Sequence, residues 1–272
     1  MKQKKIRQQF ADTVFSISKK NNKIVVFVGD ISHGIMQPFA KRFPNRYYNI
    51  GICEPAMVNV AAGLSKMGLI PIVHTITPFL IERSFEQIKL DFGYQKLPIN
   101  LVSVGATFDY SKLGCSHHSY SDLAIISQFE NSQFFYPGSA FEFDVLFKQS
   151  YQKNKINYFR VSDFSHNLSL NKNKIKLGEG IKIKNGKDLT IVCAGSFLDD
   201  AIAAYEILKK KKIEAEIIYL HTLKPIDQKM IQKSANKTKK ILILDSFNLN
   251  GGLTSICMNF LKNINNLKIE NI

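Results

Sequence analysis

The sequence predicts an α/β fold: a doubly wound, mostly parallel sheet followed by a second, smaller α/β domain. Three observations carry this. Short near-continuous apolar runs, such as Ile24-Val25-Val26-Phe27-Val28, have the β-branched character of strands buried on both faces. Segments with apolar residues at helical spacing separate these runs, and such alternation builds parallel sheets. The pattern restarts after a polar segment at residues 163–176, rich in Ser, Asn and Lys. The expected limits are residues 1–165 for the first domain, 166–180 for the linker and 181–272 for the second domain.

The elements follow in order. Residues 1–20 predict a helix, with Ile6, Phe10, Val14 and Ile17 three or four apart. Residues 24–28 predict a strand ending in the polar loop Gly29-Asp30-Ile31-Ser32-His33-Gly34. Residues 47–50 predict a second strand. It leads through Gly51-Ile52-Cys53 to Glu54-Pro55-Ala56-Met57, where Pro55 suits the first helical position because its missing N–H is not needed there. Met57, Val60, Ala61, Leu64 and Met67 then recur at helical spacing and predict the packed face. Strands are expected at 69–76, 99–104, 134–135 and 158–161, and helices at 84–92, from 123 and from 140 to 151. The loop at 105–121 is long enough to suggest a function. In the second domain, strands are expected at 189–194, 215–219 and 241–244, and helices at 199–211, 227–234 and after Gly251-Gly252. The chain stops soon after residues 267–269, so the second domain reads as short, with an edge left to a partner.

Composition bounds the function. The 272 residues suit one large or two ordinary domains, and 45% hydrophobic residues supply a core. The 37 basic residues outnumber 22 acidic ones by 15, which permits nucleic-acid, acidic-membrane or anionic-substrate contact. The lysines are dispersed, however, and the run from Lys209 to Lys212 closes a predicted helix. Most of this charge reads as solvated surface, and neither nucleic acid nor membrane is an expected partner. Four cysteines, at 53, 115, 193 and 257, lack paired metal spacing and suit reduced thiols in the cytoplasm. No signal peptide and no membrane-spanning run is expected.

Glu54 stands at the mouth of a helix and the carboxyl end of a strand, the edge where open α/β sheets bind ligands. By itself it also reads as an ordinary helix-start acid favoured by the macrodipole. Its company decides. Gly51-Ile52-Cys53-Glu54-Pro55-Ala56-Met57, the stretch from Phe79 to Asp91 and Gly114-Cys115-Ser116-His117-His118 stand in that order. Together they resemble the pyrimidine-binding half of transketolase-like, thiamine-diphosphate-dependent enzymes. That family writes the first stretch as Gly-Ile-x-Glu-x-x-Met. It writes the last as Gly, any residue, Ser or Thr, His, then His or Gln. Tyr219-Leu220-His221-Thr222-Leu223-Lys224-Pro225 resembles its carboxy-terminal-domain motif, so the resemblance covers nearly the whole chain.

The resemblance implies roles. Glu54 would hold the cofactor's aminopyrimidine and share its proton, Phe79 would lie against that ring, and Asp30 would stand in a cofactor loop. His117 would act on substrate oxygen atoms, with His118 beside it. Arg7 and Arg160 would hold a substrate phosphate through bidentate contacts. The His117-His118 pair lacks a third ligand placed by sequence, so zinc is not expected. Leu113 departs from the better-known transketolases, which carry a hydroxyl-reading Asp there; its loss implies a different sugar. The family's diphosphate-and-metal motif, Gly-Asp-Gly followed by Asn roughly 25–30 residues later, is missing. The resemblance therefore implies no metal ligands in this chain. Mg²⁺ and the diphosphate would belong to an amino-terminal-type partner subunit, with this chain dimeric and the pair forming a heterotetramer. The expected activity is transfer of a two-carbon ketol unit from a ketose or its phosphate to an aldose, by the carboxy-terminal subunit of a split transketolase. The alternatives are the beta subunit of a 2-oxo-acid dehydrogenase, a deoxyxylulose-phosphate synthase-like enzyme, or a non-catalytic partner-binding subunit.

Overall fold

The computed structural model describes residues 4–272. Twelve strands are present among them: β1 Ile24–Val28, β2 Tyr47–Asn49, β3 Ile70–Ile76, β4 Ile99–Val104, β5 Ser132–Phe135, β6 Ile156–Val161, β7 Ile181–Lys184, β8 Leu189–Ala194, β9 Ala215–Leu220, β10 Thr222–Lys224, β11 Lys240–Ile243 and β12 Lys268–Asn271. The first sheet has the order β10-β5-β6-β4-β3-β1-β2, and the second β12-β11-β8-β9-β7. All pairs are parallel except β10 with β5 and β7 with β9. β1 lies between β2 and β3, so the chain leaves it in opposite directions and opens a switch-point crevice at its carboxyl end.

Burial explains the strands. Every residue of β1, β4 and β6 is buried, as apolar runs covered on both faces require. Phe135 and Phe159 stack at 4.5 Å, and Phe143 and Phe147 of the helix Ala140–Ser150 cover Phe159. The first predicted helix spans Ile6–Ser18; residues 1–3 of that expectation lie outside the described residues.

Several expectations are corrected. The helix Glu54–Lys66 buries Met57, Val58, Ala61, Ala62 and Ser65, while Val60 and Met67 are exposed. Its packed face is therefore rotated from the one the apolar spacing suggested. A helix at His33–Arg42 occupies part of what read as loop; it buries only Met36 and Phe39 and tolerates Pro38. The helix near residue 90 finishes in wide π-turns over Ile88–Tyr94. Two short strands, β7 and β10, had no sequence signature. β10 leaves the second domain and joins the first sheet beside β5. β12 extends the second sheet beside β11, beyond the short edge the sequence suggested.

A buried polar knot fastens the two sheets. Glu142 Oε2 accepts from the Tyr219 hydroxyl of β9 at 2.5 Å and from Gly138 N at 3.2 Å. Its Oε1 accepts from Ser139 Oγ at 2.9 Å and meets His166 Nε2 at 2.5 Å. A Cβ at Gly138 would lie 2.2 Å from the carbonyl oxygen of Gly195, so only glycine allows this approach.

Candidate active site

The β1/β3 crevice is built around one carboxylate. Gly29 follows β1 so closely that a Cβ there would come 2.8 Å from Thr75 Oγ1 and 3.3 Å from Glu54 Oε1. Gly51, at φ +77°, turns the chain from β2 toward the helix Glu54–Lys66. Glu54 opens that helix, with Pro55 in its first turn, and its carboxylate is only 1% exposed. Oε1 accepts from Thr75 Oγ1 at 3.1 Å, and Oε2 accepts from Arg83 Nη1 at 2.7 Å. A buried carboxylate needs such partners, because desolvation without them costs several kcal/mol.

The short helix Thr77–Ile81 after β3 delivers Phe79. The Arg83 guanidinium lies over its ring, 4.2 Å from the centroid. His117 meets Phe79 edge-on at 5.0 Å and lies 6.5 Å from the Tyr110 ring. Ser116 Oγ is 3.0 Å from His117 Nδ1. Thus a run of contacts, Glu54 to Arg83 to Phe79 to His117, joins residues spread over three segments of sequence. His118 packs edge-on to Phe108 at 5.1 Å, and its Nε2 is buried with no hydrogen-bond partner. Leu113, on the same loop, is 58% exposed.

A basic cavity of about 620 Å³ adjoins Tyr110; Lys4, Lys5, Arg7, Ser32 and His33 also line it. Arg7 Nε donates to Ser32 Oγ at 2.8 Å, and Ser32 Oγ is 2.7 Å from Nε2 of the buried His74. With Nδ1 donating to the Val102 carbonyl oxygen at 2.8 Å, His74 is neutral and Nε2 accepts the Ser32 proton. Burial pushes His74 down to about 3, reinforced by the Arg7 charge and opposed by the Val102 bond. The unfolded imidazole takes up a proton below about pH 6.5 while the folded one stays neutral until about 3, so acid favours unfolding. Stability is expected to fall across that window, by at most about 1.4 kcal/mol per pH unit from this group. Urea midpoints at pH 7 and 5 check this: the wild-type midpoint should drop more than that of His74→Gln.

Asp30 adopts the left-handed region at φ +53° beside Gly29. Its exposed carboxylate accepts from Asn49 Nδ2 at 3.1 Å and lies 3.0 Å from His33 Nε2; these bonds hold it below the usual carboxylate range.

Arg160 is placed otherwise than the sequence suggested. It is fully buried, paired with Asp122, and donates to Thr107 Oγ1 and, at 3.0 Å, to the Ser119 carbonyl oxygen. Its guanidinium lies over Phe247 at 4.3 Å. A cation so engaged cannot face a substrate without stranding Asp122, so Arg160 ties the 105–121 loop to β6 from inside. Sequence reasoning missed Gly29, Thr75, Arg83 and the Ser32–His74 pair, whose partnerships are long-range. Among the described residues no group of three or more His, Cys, Asp or Glu side chains could hold a metal ion. The buried carboxylate beside an aromatic face does fit a protonatable, planar nitrogen ring. No helix among the described residues is long and apolar enough to cross a membrane.

Comparisons with known proteins show the family. The transketolase pyrimidine-binding domain family matches residues 2–163, and the transketolase C-terminal domain family matches residues 178–270. The chain is 29% identical to an apulose-4-phosphate transketolase subunit of Phocaeicola vulgatus, over 92% of this chain and 81% of that protein. It is 27% identical to a 6-deoxy-6-sulfo-D-fructose transketolase subunit of a Clostridium species, over 92% of this chain and 78% of that one. A solved split-gene transketolase, described as an inactive beta4 tetramer, superposes with a TM-score of 0.88 at 29% identity, covering 98% of this chain and 87% of that one. The chain belongs to the transketolase family and corresponds to its pyrimidine-binding and carboxy-terminal section, the part that split transketolases carry on a separate subunit.

Proposed function

We propose that this chain supplies the pyrimidine-binding half of a transketolase active site, completed by a diphosphate-binding partner subunit that holds Mg²⁺. The observation that carries this is Glu54, a buried carboxylate at the switch point, joined to Phe79 through Arg83. When bound, thiamine diphosphate supplies the electron sink that lets a ketose break between its second and third carbons. Glu54 binds the pyrimidine ring nitrogen and exchanges a proton with it, while Phe79 offers the stacking face. Asp30 orders the neighbouring loop through Asn49. His117, braced by Ser116 and Phe79, gives and takes a proton at a substrate oxygen, and His118 stands behind it.

Arg7, with Lys4, Lys5 and His33, favours an anionic tail on the sugar. The named relatives act on a sugar phosphate and a sulfo-sugar, which supports that class. Leu113 in place of a hydroxyl-reading carboxylate supports a sugar unlike that of the common enzyme. Val60 on the helix Glu54–Lys66, Met67 just after it, and Leu90 and Tyr94 on the π-turns Ile88–Tyr94 are exposed apolar residues on contacting elements, which suits self-association into a dimer and then a two-plus-two assembly. Four free cysteines support a cytoplasmic setting.

The test is reconstitution. Mixed with a diphosphate-binding subunit, thiamine diphosphate and Mg²⁺, the chain should transfer a two-carbon unit from a ketose to an aldose. Pyruvate consumption without a ketose donor would point to synthase-type chemistry instead.

A further inference from the structure

We propose that Arg83 is a placeholder for the cofactor's aminopyrimidine: its side chain occupies the ring's position until the ring arrives. The inference rests on the pyrimidine site proposed above. Two contacts define that site, an aromatic face on Phe79 and a bond to the Glu54 carboxylate. Arg83 makes both, with Nη1 2.7 Å from Glu54 Oε2 and Cζ 4.2 Å from the Phe79 centroid. A guanidinium is planar, stacks on aromatic rings and donates to carboxylates, as a protonated aminopyrimidine does. Arg83 bridges the two residues. A ring stacked there and bonded to Glu54 needs the same space.

The arrangement also has a physical reason. Glu54 is buried and, with no ring present, needs a counter-charge. Thr75 satisfies only Oε1, so Arg83 neutralises the site. Yet Arg83 is poorly locked. It reaches Glu54 through one nitrogen, and its side chain is 42% exposed. It can swing into water as a ring nitrogen takes over Oε2. Ring binding is then an exchange, and the apparent affinity is reduced by the fraction of chains in which Arg83 holds the position.

The probe is the isolated ring, 4-amino-5-hydroxymethyl-2-methylpyrimidine, titrated calorimetrically into the full chain. Arg83→Met keeps the apolar stem and removes the competing charge, and is expected to bind the probe at least about tenfold more tightly than wild type. In the wild-type chain, the Arg83 Nε–H resonance should move to a solvent-exposed value as the probe binds, a readout independent of how the variant folds. Equal or weaker binding by Arg83→Met, or an Arg83 resonance that stays put while the probe binds, would overturn the placeholder and leave the pyrimidine site standing. No probe binding by either chain would overturn both. Binding unaffected by Glu54→Gln would place the ring elsewhere, with the same consequence.

Discussion

Glu54→Gln is expected to fold, to assemble with its partner and to lose turnover by a factor of at least about 10², the lower end of what a positioned acid–base group contributes. The amide keeps the shape, and its one oxygen can accept from Thr75 or from Arg83, though not at both of the carboxylate's positions. It cannot hold or release a proton at the ring nitrogen, and it removes the negative charge that would favour a protonated ring. Because the carboxylate is buried, solvent cannot substitute for it. The measurement is a ketol-transfer assay of the reconstituted enzyme at saturating cofactor, with circular dichroism to confirm the fold. Turnover at the wild-type rate would remove Glu54 from the chemistry.

The largest stability effect belongs to Asp122. Its carboxylate is fully buried, pairs with Arg160 and accepts from the Tyr158 hydroxyl at 2.7 Å. Removing it would leave the buried guanidinium uncompensated between Phe247 and Tyr136. Asp122→Ala should therefore destabilise the chain by about 3–5 kcal/mol, the usual cost of breaking a buried pair from one side. The damage should be local as well. Arg160 holds Thr107 and Ser119, and Thr107 Oγ1 donates to the Ser246 carbonyl oxygen of the second domain at 3.0 Å. Limited proteolysis should then cut the 105–121 loop, and with it the His117 surface, faster than in wild type. Replacing both partners together, Asp122→Leu with Arg160→Met, should recover much of the urea midpoint, since neither charge remains to be solvated.

What could be read from the sequence follows from burial. β1, β4 and β8 stand at their expected limits, because strands covered on both faces are largely apolar, and the buried Asn100, Ser103 and Thr190 within them are hydrogen-bonded. β10 could not be read: three residues pair with β5 only because the folded second domain presents them. The helix His33–Arg42 escaped because Gly34 and Pro38 argue locally against a helix, and packing of Met36 and Phe39 outweighs them. Within the site, Glu54, Phe79 and His117 were legible as motifs in order. Their electrostatic partners were not. Thr75 and Arg83 reach Glu54 across 21 and 29 residues, and no local pattern records such a contact. Arg160 illustrates the converse. The family resemblance implied a phosphate ligand there, but a carboxylate 38 residues away in sequence decides that it faces inward.

The division of the active site between two chains is tested most directly by isothermal titration of thiamine diphosphate, with Mg²⁺, into this chain alone and into its mixture with the diphosphate-binding subunit. The diphosphate carries several negative charges, and such groups are held by a cation and directed donors. This chain presents a carboxylate and an aromatic face. Tight, Mg²⁺-dependent binding should appear only in the mixture; the chain alone should show at most the weak, Mg²⁺-independent binding of the pyrimidine end. Tight Mg²⁺-dependent binding by the purified chain without its partner would contradict the account.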